Sequence, residues 1–191
     1  MHLRSSGALL TLLLVSALAA CGGGGGGGGS SAVVPTSPPT SASATIPIPP
    51  IAMGGPGPSF GGYSPTFWYP ANDASPSPEP SALLTTSTTA IANLPSPAPP
   101  GTPLANFSLK LQTTLTFQGC PYFSPVTVPS SVVIAGHTFY ESAYDLTTKA
   151  AIACDSTGFT ASGQSISFSG FPTAPITLNA SDTYVVVLSY Q

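Results

Sequence analysis

Charge is what this sequence has least of. Only 5% of its 191 residues are charged, where an ordinary soluble domain has about a quarter. Arg4, Lys110 and Lys149 are the whole basic complement. A nucleic-acid surface needs clustered Lys and Arg to displace counterions from phosphates. Two separated lysines beyond the N-terminus exclude that class of partner. The six acids, Asp73, Glu79, Glu141, Asp145, Asp155 and Asp182, form no acidic run and mark no partner by charge. Histidine is nearly absent as well, with His137 the only one beyond the N-terminal leader. No Cys-x-x-Cys occurs, so the donors for a closed four-ligand zinc site are missing, and no metal or other cofactor is expected.

Catalytic motifs are also lacking. A hydrolase triad would have to join His137 to a serine and to Asp145, Asp155 or Asp182. The stretch "GQSIS" (163–167) lacks the second glycine of a nucleophile elbow. Glu141 with one aspartate would make a glycosidase pair, but nothing in the pattern singles them out. Asp145 and Asp155, near a hairpin end, do not stand out as a calcium pair. Polar strand and turn positions account for all of these residues, and the chain reads as a non-enzyme.

What is present begins with an export signal. Arg4 supplies a positive start, and "ALLTLLLVSALAA" (8–20) an apolar run. At 13 residues the run is shorter than the ~17–25 a membrane-spanning helix needs. Small residues close it, as at a cleavage site. Leu18-Ala19-Ala20-Cys21 resembles the lipobox of bacterial lipoproteins, in which a small residue precedes a lipidated cysteine. The resemblance implies that residues 1–21 are a lipoprotein signal peptide. It further implies that Cys21 becomes the mature N-terminus, carrying a thioether-linked diacylglycerol and an N-acyl chain. Two or more chains give stable anchoring where one gives marginal binding. The implied partner is a lipid bilayer. Gly22 stands where an Asp would suggest inner-membrane retention, so the analogy favours the outer membrane or cell surface.

Residues 22–103 have the composition of a disordered tether. Eight glycines open it, and 18 of the chain's 23 prolines fall within it. Proline removes backbone donors and restricts its neighbours, which favours polyproline II and disorder. At ~3.1 Å per residue such a linker would reach on the order of 250 Å when fully extended. Two islands interrupt it. "SFGGYSPTFWYP" (59–70) gathers Phe60, Tyr63, Phe67, Trp68 and Tyr69. These are either binding aromatics in a recognition segment or an arm that folds onto the C-terminal domain, since exposed aromatic clusters are a liability. "SALLTTSTTAIANL" (81–94) is a strand or a weak helix.

From Leu104 the pattern becomes that of a β-domain. In "NFSLKLQTTLTFQ" (106–118), Phe107, Leu109, Leu111, Leu115 and Phe117 alternate with polar residues, the period of a strand with one buried face. "PVTVP" (125–129) reads as a short proline-flanked edge strand. "SVVIAGHTFYESAYDL" (131–146) reads as a strand broken by a turn or bulge at Gly136. Residues 143–155 read as a hairpin turning near Leu146–Lys149, with a helix over 141–153 as the competing reading. "GQSISFSGF" (163–171), "APITL" (174–178) and "TYVVVLSY" (183–190) complete seven or eight strands. On the last, Tyr184, Val186, Leu188 and Tyr190 share one face. The expected fold is all-β, a small antiparallel sandwich at 104–191. "ITLNASDTYVVVLSY" is similar to the closing strands of bacterial Ig-like or jelly-roll domains, a resemblance that assigns no residue role.

With Cys21 lipidated, Cys120 and Cys154 remain. Export places them in an oxidising compartment, so a disulfide is expected. It closes a loop of about 35 residues, worth roughly 3–4 kcal/mol in the chain-entropy model. The functional expectation is a membrane-anchored envelope lipoprotein presenting a binding module, its partner an envelope protein or a glycan. A carbohydrate-binding or enzyme-accessory module and a ligand-free spacer are the alternatives. Exposed aromatics on one face of the domain would favour sugar binding, and a purely Ser/Thr surface a protein partner.

Overall fold

Thirteen strands and no helix make up residues 41–73, 77–156 and 158–191, the part of the chain described by the computed structural model. The export signal, Cys21 and the glycine run lie outside it. The strands are β1 (Ala42–Pro47), β2 (Met53–Pro56), β3 (Ser64–Tyr69), β4 (Ser81–Ser87), β5 (Thr102–Leu111), β6 (Leu115–Phe117) and β7 (Tyr122–Thr127). They continue as β8 (Phe139–Asp145), β9 (Ala150–Ile152), β10 (Gly158–Ser162), β11 (Ser165–Ser169), β12 (Ile176–Leu178) and β13 (Tyr184–Tyr190). One sheet has six strands in the order β1-β4-β5-β13-β8-β9. A second has five, in the order β10-β11-β7-β3-β2, and β12 pairs with β6 alone. Every pairing is antiparallel. The fold is an all-β antiparallel sandwich.

The sandwich begins well before Leu104. Four strands, β1 to β4, come from the stretch whose composition reads as tether, so the tether expectation is corrected from residue 41 onward. The reason is where its prolines sit. Pro47 and Pro56 end β1 and β2, each the edge strand of its sheet, where a missing donor faces solvent. Pro65 flanks the irregularity in the β3–β7 register, and Pro103 lies opposite the bulge at Leu188/Ser189. Bulges absorb a residue that cannot donate to the ladder. Composition counts prolines without seeing these positions.

The aromatic island is mostly core. Tyr63, Phe67 and Tyr69 are buried and Phe60 is half-buried. These four are therefore not an exposed recognition segment, which corrects that reading of the island. Phe67 meets Phe123 of its own sheet at 5.0 Å, and Phe123 meets Phe107 of the six-stranded sheet at 4.8 Å. This run of rings joins the two layers. The alternating apolar positions Phe107, Leu109, Leu111, Leu115 and Phe117 are all buried. They belong to two strands, β5 and β6, where one was expected. Of the edge expected at 125–129, residues 125–127 are instead the end of β7, with Val126 and Thr127 paired on both sides by β11 and β3. Residues 139–145 form β8, and Gly136 lies in the preceding loop with φ of 81°. The β8–β9 hairpin turns at 146–149 as expected, with Asp145 opposite Ala150.

Loop residues 88–101 cover part of the outer face of the six-stranded sheet. Ile91 and Leu94 pack on Tyr144, Val185 and Val187. The Tyr144 hydroxyl donates to the Pro97 carbonyl at 2.9 Å, and Asn106 Nδ2 donates to the Thr89 carbonyl at 2.7 Å. The outward positions of the five-stranded sheet are more open: Trp68, Pro125, Thr127 and Ser169 are exposed.

Candidate functional site

The open face of the five-stranded sheet gathers three aromatic rings from distant parts of the chain. Trp68 on β3 stands directly across from Tyr122 on β7, and directly across from Gly54 on β2. A Cβ built on Gly54 would lie 2.1, 2.2 and 2.5 Å from three carbons of the indole. Near-equal distances to three ring atoms mean the ring lies face-down over the glycine. Its other face turns outward, and Trp68 is 38% exposed. Glycine in a strand interior normally weakens it. Here its bare Cα is the seat of the ring.

Tyr122 carries the third ring. Phe171 stacks on it with centroids 4.3 Å apart and planes 15° from parallel. Proline at 125 deprives β7 of a ladder donor, and Ser124 repairs the contact with β11. The Phe168 N–H donates to Ser124 Oγ at 2.9 Å, and Ser124 Oγ donates to the Phe168 carbonyl at 3.3 Å. This fixes the end of β11. Gly170, at φ of 76°, then turns the chain in a conformation that glycine adopts without strain, and Phe171 meets Tyr122. The Cys120 N–H donates to the Pro172 carbonyl at 3.4 Å and holds the returning segment.

A groove of about 390 Å³ runs beside this stack. Tyr122, Phe171 and Pro70 give it apolar walls, and Gln118, Ser169 and Thr173 give it amide and hydroxyl groups. No formally charged side chain lines it. Gln118 Nε2 donates to Asp73 Oδ1 outside that lining.

The groove is pinned from beneath. Cys120 and Cys154 form the expected disulfide, with Cα atoms 5.6 Å apart. The Tyr184 hydroxyl donates to the Pro121 carbonyl at 2.9 Å. The Phe123 N–H donates to Glu141 Oε2 at 3.4 Å. Glu141 projects from β8 into the core and is 1% exposed. Its Oε1 has no hydrogen-bond partner. Burial pushes its carboxyl well above the usual range, and the Phe123 hydrogen bond only partly opposes this. Burial also raises Tyr122 and Tyr184, and both are raised further by facing Glu141.

The other sequence candidates are not brought to this face. His137 packs edge-on against Tyr190 at 5.0 Å, at one end of β13. Asp145 pairs with Tyr184 at the other end, roughly 20 Å away at strand rise, so the triad partners weighed from sequence are not assembled. Asp145 Oδ1 accepts the Thr147 and Thr148 N–H groups at 2.8 and 3.1 Å. Burial raises this carboxyl, but the Thr148 hydroxyl, these two N–H groups and a hydrogen bond with Asp182 outweigh it and hold it below the usual range. Asp182 accepts from Asn179 Nδ2 at 2.8 Å. Both acids border a cleft of about 150 Å³ and are engaged in ordering their own turns. Asp155 accepts the Ala143 N–H at 3.4 Å. No group of three or more metal-ligating side chains occurs among the described residues.

Sequence reasoning marked Trp68 and missed Tyr122 and Phe171. Each of these two stands beside a proline and 49 residues from the other, and only the β7–β11 pairing unites them. The Gly170-Phe171-Pro172 turn closing an alternating strand was the available cue. No known protein family, curated protein or solved structure matches this chain.

Proposed function

We propose that the chain is an exported lipoprotein that displays its β-sandwich as a binding module, held to a bacterial envelope bilayer through acylated Cys21. The anchoring half of the reading rests on Leu18-Ala19-Ala20-Cys21 behind a short apolar run. The binding half rests on one observation, the uncovered aromatic face of the five-stranded sheet. Trp68 stands exposed on that face across from Tyr122, on which Phe171 stacks, and aromatic side chains dominate binding hot spots.

The sandwich starting near Ala42 changes the scale of the display. A linker of about 20 residues reaches at most on the order of 60–70 Å. The module then works close to the bilayer, not far above it.

Metabolic labelling with a fatty-acid probe tests the anchor. The wild-type protein takes up label and fractionates with membranes, and Cys21→Ala does neither. Label persisting in the variant would sink the anchoring reading.

A further inference from the structure

We propose that the face formed by Trp68, Tyr122 and Phe171, with its adjoining groove, binds a neutral carbohydrate chain. This names the ligand for the module proposed above and rests on that reading for its setting.

The chemistry of the face selects the ligand. A sugar ring has an apolar face of C–H groups and a rim of hydroxyls. The C–H groups suit the negative face of an aromatic ring, and burying both apolar surfaces adds the hydrophobic term. Trp68 offers such a face, flat on Gly54 and outward on its free side. Gln118, Ser169 and Thr173 offer neutral donors and acceptors to a hydroxyl rim. The groove's size falls within the range of small-molecule sites.

Other ligand classes fit less well. A phosphate or anionic polymer needs cations, and none lines the groove. A cationic peptide needs acids, which are equally missing from the lining. A purely apolar ligand would offer the Thr173 hydroxyl of the lining no hydrogen-bond partner, at a cost in free energy.

Affinity electrophoresis of the full chain in detergent tests the proposal. The gels carry a β-glucan, an α-glucan, xylan, galactan or, for contrast, the anionic polymer alginate, with a glycan array run in parallel. The folded wild-type protein is retarded by at least one neutral polymer. Trp68→Ala and Tyr122→Ala lose affinity on the order of tenfold or more, the loss expected for an aromatic hot spot. Ser169→Glu, an exposed substitution in the lining, weakens binding as well. Val133→Ala, exposed and outside the groove, binds as wild type. Circular dichroism checks that each variant is folded. No retention of the folded wild type by any polymer or array glycan overturns the proposal. So does retention by alginate alone, or binding indifferent to both Ser169→Glu and the aromatic variants. Failure here with Cys21 still labelled leaves the anchor reading standing, and glycan binding without label sinks the anchor alone.

Discussion

Trp68 lies flat on Gly54, its indole occupying the space where any other residue at position 54 would place a Cβ. Gly54→Ala therefore lifts the ring. Because Trp68 is the only tryptophan, its fluorescence reports the change directly. The expected result is emission shifted to longer wavelength, with weakened ligand binding. The stability cost stays near 1 kcal/mol or below, since the ring swings into solvent and not into the core. An unchanged emission spectrum in a folded variant would show that the ring does not rest on this glycine.

The disulfide ties the start of the groove wall to the segment after β9. Replacing both partners, Cys120→Ser with Cys154→Ser, removes a crosslink spanning 34 residues. The chain-entropy model sets the loss at about 3–4 kcal/mol. Denaturant titration under oxidising conditions reads this as a lower midpoint. A midpoint within error of wild type would show that the crosslink contributes little.

Glu141 makes stability depend on pH with a defined sign. Burial raises its carboxyl in the folded state above its unfolded value. The native state therefore holds the proton longer than the unfolded chain. Stability is full below the unfolded value, near pH 4.3 for a free Glu, and declines as pH climbs from there toward the folded value. Glu141→Gln keeps an acceptor for the Phe123 N–H and removes the titration. The variant matches wild type near pH 4 and exceeds it at pH 7 by about 1–3 kcal/mol, the scale of an unsatisfied buried group. Asp145 and Asp155 titrate alike in both proteins and cancel. Unfolding curves from pH 4 to 8 check this, and a difference that does not widen with pH refutes it.

Gly101 and Gly136 share a positive φ but not a neighbourhood. At Gly101, φ is 67° and a Cβ would sit 2.0 Å from the Tyr190 carbonyl oxygen. At Gly136, φ is 81° and nothing lies within 4 Å. Gly136→Ala should cost only the left-handed penalty, roughly 1–2 kcal/mol. Gly101→Ala adds a backbone clash and should cost more than about 3 kcal/mol or prevent folding. Thermal melts of the two variants settle the ranking, and equal melting temperatures would refute it.

The second half of the fold was legible because its strands bury one face or end in recognisable turns. The alternation through Phe107, Leu109 and Leu111, the β8–β9 turn and the Tyr184–Tyr190 strand all follow from local period. The first half was legible only in part: the arm reading of the 59–70 island and the strand reading of 81–94 match β3 and β4, while β1 and β2 went unmarked. β1 and β2 are short, proline-ended edges, and β2 carries two adjacent glycines whose fitness depends on Trp68. Those fits are tertiary, and proline or glycine counts point the other way. The site shows the same division. Trp68 stood out within a dense cluster, but its neighbours there face the core. Tyr122 across from it, and Phe171 stacked on Tyr122, are brought there by pairing that no local pattern encodes.

The chain enters the sandwich at Ala42, on an edge strand whose one ladder partner is β4. That placement has a mechanical consequence for a protein pulled from its N-terminal side. Tension meets the Ala42↔Thr86 end of β1 first and separates the β1–β4 ladder pair by pair, the weak direction of a hairpin-like contact. Once β1 is peeled, the load passes through residues 48–52 to β2, also an edge strand. β2 supplies Gly54, so the next pairs to open take away the seat of Trp68. The proposed anchor and the proposed ligand face would thereby be in series, so that a sufficient pull on the N-terminal side unseats Trp68.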